Sequence, residues 1–144
     1  MTLQPSLLTI VLPEPPSFNV MIDIAKKRTR RTRTGGWMRR SLPVVYDQEK
    51  EKYELTCLAV AREQGIRPPA DPWPRWRIER AAFRLHQLRD PLELLGGLKW
   101  TVDWLVSQGY VVDDGPSHLL AVPYPEQRIE RSDRGVTLTI AQVF

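Results

Sequence analysis

Cysteine is nearly missing from this chain of 144 residues, where Cys57 stands alone. A single thiol excludes an internal disulfide and a cysteine-based zinc site. Histidine is almost as scarce: His86 ends a strand-like run and His118 follows a turn, and both read as surface or packing residues. No stretch approaches the ~20 consecutive apolar residues of a membrane span. Met1 to Leu12 is apolar, but no basic residue precedes it and no small-residue cleavage site closes it, so it reads as a first strand and not a signal peptide. The expectation is a cytoplasmic protein with no membrane partner. A serine or cysteine triad, a Walker loop and a dinucleotide fingerprint are also missing. Gly96-Gly97 falls inside a helical pattern, where each glycine costs roughly 1 kcal/mol. That pair points to close approach by another backbone, a second subunit being one candidate.

The length suits one domain, residues 1–144, with a single hydrophobic core. The formal net charge is only +4, but it is unevenly placed. Lys26, Lys27, Arg28, Arg30, Arg31, Arg33, Arg39 and Arg40 follow one another with no acid among them. Such a block gains affinity for a polyanion by displacing condensed counterions; the bland alternative is a solvated loop. It lacks the interleaved apolar face of a membrane-surface helix.

Ser6 to Leu12 reads as a buried strand closed by Pro13. The prolines that follow, at 13, 15 and 16, fit neither a helix nor a central strand. The basic segment, residues 26–40, carries Gly35-Gly36 at its tip and reads as a hairpin or long loop. Tyr46 to Gln64 has helical spacing and Gly65 to end it. Arg67 to Pro74 contains four prolines and is an extended connector. Arg75 to His86 is a strand whose apolar phase switches, predicting a bulge near Ala81-Ala82. Pro91 to about Gln108 is a second helix, apolar along Leu94, Leu95, Leu98, Val102, Leu105 and Val106. Two strands close the chain, about Leu119 to Arg131 and Gly135 to Ala141, joined by a turn. The order β-α-β-α-β-β implies a small α/β domain with two helices against a mixed sheet.

Five acids bracket the second helix: Asp90, Glu93, Asp103, Asp113 and Asp114. A hard cation such as Mg²⁺ takes oxygen ligands, and one or two carboxylates suffice when water and phosphate complete the shell. Plainer readings stand beside this one. Asp90-Pro91-Leu92-Glu93 is also a helix start, with an aspartate cap, proline at the first position and an acid in the first turn. Asp113-Asp114-Gly115 is also a solvated turn, and Asp103 is also the i+4 partner of Lys99.

Two separated segments carry a resemblance. Leu12-Pro13-Glu14-Pro15-Pro16-Ser17-Phe18-Asn19 is similar to the proline-proline-serine-x-asparagine signature of the RusA-type Holliday-junction resolvases. Arg89-Asp90-Pro91, Lys99, Asp103-Trp104-Leu105 and Gly109 to Asp114 are similar in order and spacing to that family's Arg-Asp-x-Asp-Asn-Leu, lysine, Asp-x-Leu and glycine-to-paired-aspartate stretch. The closing hairpin from Ile129-Glu130-Arg131 to Thr139 fits as well. The resemblance implies a homodimeric endonuclease, often phage-encoded, that uses Mg²⁺ (or Mn²⁺) to nick four-way DNA junctions in recombination and repair. It matches Asp90 and Asp114 to metal-binding catalytic acids, Asp113 to the neighbouring acid, Lys99 to the active-site lysine and Asn19 to the signature asparagine. Asn19 and the eight cations would contact DNA.

This chain departs from the family at Leu92, which takes the place of the second acid, while Glu93 takes that of the asparagine. Either Glu93 supplies the missing oxygen, or fewer ligands suffice, or cleavage is lost and a junction-binding protein remains. A helix from Pro91 to Gln108 is about 27 Å long, whereas the six residues onward to Asp114 reach back at most about 20 Å. Asp114 therefore meets Asp90 only if that segment doubles back nearly straight, the helix is shorter, or subunits share the site.

Overall fold

Alternation of aliphatic and polar residues builds the sheet, and two amphipathic segments cover one side of it. The computed structural model describes residues 6–17, 29–31, 37–39 and 42–144; for 29–31, 37–39 and 42–45 it describes the backbone. The elements run β1 Leu7–Leu12, β2 Thr29–Arg31, β3 Trp37–Arg39, α1 Leu42–Glu63, β4 Trp76–Leu85, α2 Pro91–Ser107, β5 Glu126–Ile129 and β6 Gly135–Gln142. Among the described residues this is the small α/β domain expected, with four strands in a mixed sheet and two helices.

The sheet order is β1-β6-β4-β5. β6 pairs antiparallel with β1, Leu12 opposite Val136, and with β4, Phe83 opposite Val136. β5 runs parallel to β4, Ala82 opposite Glu126. The two C-terminal strands therefore form no hairpin with each other, contrary to expectation. The Glu130–Arg134 connection carries the chain across β4, and β6 enters the centre because its alternation (Val136, Leu138 and Ile140, all fully buried) matches the core. β5 is also shorter than its pattern suggested. Leu119 to Pro125 is not strand, although Leu119 and Ala121 run beside β4, with Trp76 N–H donating to His118 O at 2.8 Å and Ile78 N–H to Ala121 O at 3.0 Å.

The β4 irregularity falls between Ile78 and Arg80, earlier than expected, and makes Glu79 the extra residue. This slip keeps Trp76 and Ile78 before it, and Ala81, Phe83 and Leu85 after it, on one buried face. α1 begins at Leu42, four residues before the expected start, with Pro43 in its first turn, where no N–H partner is required. Its Tyr53, Cys57 and Ala61 join the same core. α2 is buried more widely than an amphipathic stripe, because Gly97, Trp100, Thr101 and Trp104 are covered as well as Leu94, Leu98 and Leu105.

Side-chain amides close exposed backbone. Gln64 Nε2 donates to Val11 O at 2.7 Å and Gln64 Oε1 accepts from Val11 N–H at 2.9 Å, occupying part of the open edge of β1. The basic segment contains an antiparallel pair, Thr29 opposite Arg39 and Arg31 opposite Trp37, as a hairpin requires. Among the described residues no helix is long and apolar enough to cross a membrane.

Candidate active site

The N-terminus of α2 is shaped by local chemistry. Asp90 is its N-cap, the carboxylate accepting from Leu92 N–H at 2.8 Å, and Pro91 follows. Arg89, just ahead, is held at its backbone by Gln127 of β5, whose amide accepts from Arg89 N–H and donates to Arg89 O, both at 2.9 Å. The Arg89 guanidinium reaches Glu14 at 3.2 Å, tying the proline segment to the helix start. That segment also lies against the middle of α2. A Cβ at Gly97 would sit 2.6 Å from Pro16 O, so the backbone that the glycine pair admits belongs to the same chain.

Further along α2, Lys99 lies between two aspartates. Its ammonium donates to Asp114 Oδ2 at 2.5 Å and pairs with Asp103 Oδ1 at 2.9 Å. Asp103 receives a second lysine, Lys50 of α1, at 2.7 Å. The chain Lys50–Asp103–Lys99–Asp114 thus links both helices to the turn after α2. The hydrogen bond to Asp114, assisted by Asp103, holds the Lys99 ammonium well above its ordinary pKa. Lys99 in turn lowers the Asp114 carboxyl below the usual aspartate range. Lys99 is accordingly a cation at neutral pH and no base.

The return to Asp114 is guided by backbone. Gly109, at φ +81°, turns the chain; Val112 N–H then donates to Trp73 O at 2.9 Å, and Trp76 Nε1 donates to Asp113 O at 2.9 Å. Asp113 Oδ1 accepts from Asp114 N–H at 2.8 Å, a turn interaction like the plain reading. The segment reaches the middle of α2 at Lys99, nine residues and about 13 Å of helix beyond Asp90. A cleft of about 280 Å³ opens there, lined by Leu95, Gly96, Lys99, Val102, Asp114 and Val122.

The structure thus joins Lys99 with Asp114 and adds Asp103 and Lys50, while Asp90 and Glu93 stay in the first turn of α2 and Leu92 is 77% exposed. Lys50 carried no sequence signal, because its partner is 53 residues away. Among the described residues, no three of His, Cys, Asp and Glu are gathered to hold a metal ion. The oxygen donors suit a hard cation, for which one or two carboxylates completed by water and phosphate suffice; Lys99 already bonds Asp114 Oδ2, so an incoming ion would share that carboxylate with the ammonium. Of the residues expected from the sequence to contact DNA, Arg30, Arg31 and Arg39 lie in β2 and β3, and Asn19, Lys26, Lys27, Arg28, Arg33 and Arg40 lie outside the described residues. No family model matches this chain, and neither does any curated protein.

Proposed function

We propose that this chain is a structure-selective, divalent-metal-dependent endodeoxyribonuclease that nicks four-way DNA junctions, acting as a cytoplasmic homodimer. The observation that carries the reading is Lys99 bonded at once to Asp103 and Asp114, three residues that also follow the resolvase order along the sequence. Asp114 and Asp113 are the residues for Mg²⁺ or Mn²⁺; Asp90 and Glu93 stay at the helix start and join them only where a partner subunit brings its own first turn of α2 to this site. When bound, such an ion neutralises the scissile phosphate and activates water. Lys99 supplies a fixed positive charge where charge develops on the phosphate. The basic segment grips DNA arms through their phosphates, so binding falls steeply with salt and depends little on base sequence. A two-fold dimer presents two sites to the near two-fold junction.

One observation favours a second reading, a junction-binding protein without cleavage: Leu92 stands exposed where the family has an acid, and Lys99 occupies the Asp114 carboxylate. One experiment separates the two. The purified chain is incubated with Mg²⁺ or Mn²⁺ and labelled four-way or linear DNA, beside Asp114→Asn. Junction cleavage that the variant loses supports the nuclease. Junction binding with no cleavage in either metal supports the second reading, and cleavage unchanged in the variant removes Asp114 from the site.

A further inference from the structure

The side of the sheet away from the helices is not inert. Register places Arg84 of β4 between Gly135 of β6 and Arg128 of β5, and Ala82 between Thr137 and Glu126. Arg80, beyond Ala82, pairs with Thr139. All of these side chains project from one face, since paired residues on neighbouring strands share a face. A cleft of about 330 Å³ opens here, with Ala82 and Thr137 at its floor and Arg80, Arg84, Arg128 and Glu126 around it.

The cleft is built, not simply charged. Arg84 is only 8% exposed; its Nε donates to Asp133 O and its Nη1 to Thr137 Oγ1, each at 2.9 Å. A Cβ at position 135 would fall 2.8 Å from Arg84 Nη2, so Gly135 leaves room for the guanidinium. Arg80 is fixed against Glu126 at 2.5 Å. Arg128 is exposed, and no acid among the described residues pairs with it. Three guanidinium groups and one carboxylate line the cleft, and the exposed Asp133 carboxylate stands 3.7 Å from Arg84 Nε beside it, which leaves an excess of one positive charge; Arg80 and Arg84 are already held in place, so only Arg128 has its side chain to order against an incoming anion. Arginine forks match phosphate oxygens, and Thr137, whose Oγ1 accepts from Arg84, has its own hydroxyl hydrogen to donate.

We propose that this cleft is a phosphate site for the DNA backbone, separate from the α2 site, gripping a duplex arm through Arg80, Arg84 and Arg128. It rests on the reading of the chain as a DNA-binding protein and adds a second contact surface to it.

The test is metal-free equilibrium binding of the full chain to labelled junction and linear duplex, with Arg128→Ala and Glu126→Gln. Both positions are exposed, and circular dichroism checks that the variants fold. Arg128→Ala weakens binding to both DNAs, and Glu126→Gln strengthens it. From about 50 to about 200 mM salt the wild type loses about 3.5-fold more affinity than Arg128→Ala, the share of one phosphate contact. Affinities unmoved by both variants, with no response of the cleft resonances to inorganic phosphate, overturn the cleft, even if metal-dependent cleavage proceeds normally. Inorganic phosphate that shifts the cleft resonances while DNA binding ignores both variants overturns the nucleic-acid source. Opposite-sign responses in a protein that cleaves no junction keep the cleft and overturn the nuclease.

Discussion

Gly97 of α2 lies under the carbonyl of Pro16, close enough that a Cβ at 97 would meet that oxygen at 2.6 Å. Gly97→Ala therefore sets a helix-propensity gain of about 1 kcal/mol against overlap with backbone that must move, which costs about 1–3 kcal/mol. The variant is expected to melt several degrees lower by calorimetry. A melting temperature raised above wild type would show that the proline segment is free to withdraw from α2.

Lys99 and Asp114 make the pair dependent on pH at both extremes. The folded pKa of Asp114 is lowered, so its contribution is complete above the ordinary aspartate range and fades as pH falls through the lowered value. The folded pKa of Lys99 is raised, so its contribution is complete below the ordinary lysine range and fades as pH rises through the raised value. Lys99→Met returns the Asp114 carboxyl upward, readable by NMR titration, and on the proposed function is expected to abolish junction cleavage. An Asp114 titration identical in both proteins would rule out the ion pair.

Leu92 takes the place of the second acid in the resolvase motif that the sequence resembles, and it is solvent-exposed. Leu92→Asp therefore changes stability by less than about 0.5 kcal/mol and, on the proposed function, is expected to raise metal-dependent cleavage. Glu93→Ala lowers cleavage if Glu93 supplies the missing oxygen. Single-turnover rates on a synthetic junction measure both, and full activity in Glu93→Ala removes Glu93 from the site.

Cys57 is fully buried in α1 beside Tyr53, and burial pushes its thiol up to about 12. It is expected to ignore thiol reagents near neutral pH in the folded protein and to react once the chain unfolds. Rapid labelling without denaturant would place the thiol outside the core.

Gln64 occupies the backbone of Val11 on the β1 edge. Gln64→Ala exposes that N–H and C=O and is expected to give concentration-dependent association by sedimentation, as unprotected edges do. Unchanged sedimentation at high concentration would show that the edge is protected by other means.

Local chemistry alone determined much of this protein. The alternation in β1 and β6, the proline at the start of α2, the glycine at its end and the aspartate cap at Asp90 act over a few residues, and each was legible in order. So was the two-helix, mixed-sheet class, because only a few layered arrangements bury such elements. What depends on distant partners was not legible. β4 stands between β5 and β6, so these two form no hairpin: β6 takes a central place through its buried alternation and not beside its nearest neighbour in sequence. Lys50 joins Asp103, and Gln127 holds Arg89, across gaps of 53 and 38 residues. The tertiary structure also decided that Asp114 meets α2 at Lys99 and not at its first turn, because the Trp73 backbone and the Trp76 indole fix the path of the returning chain.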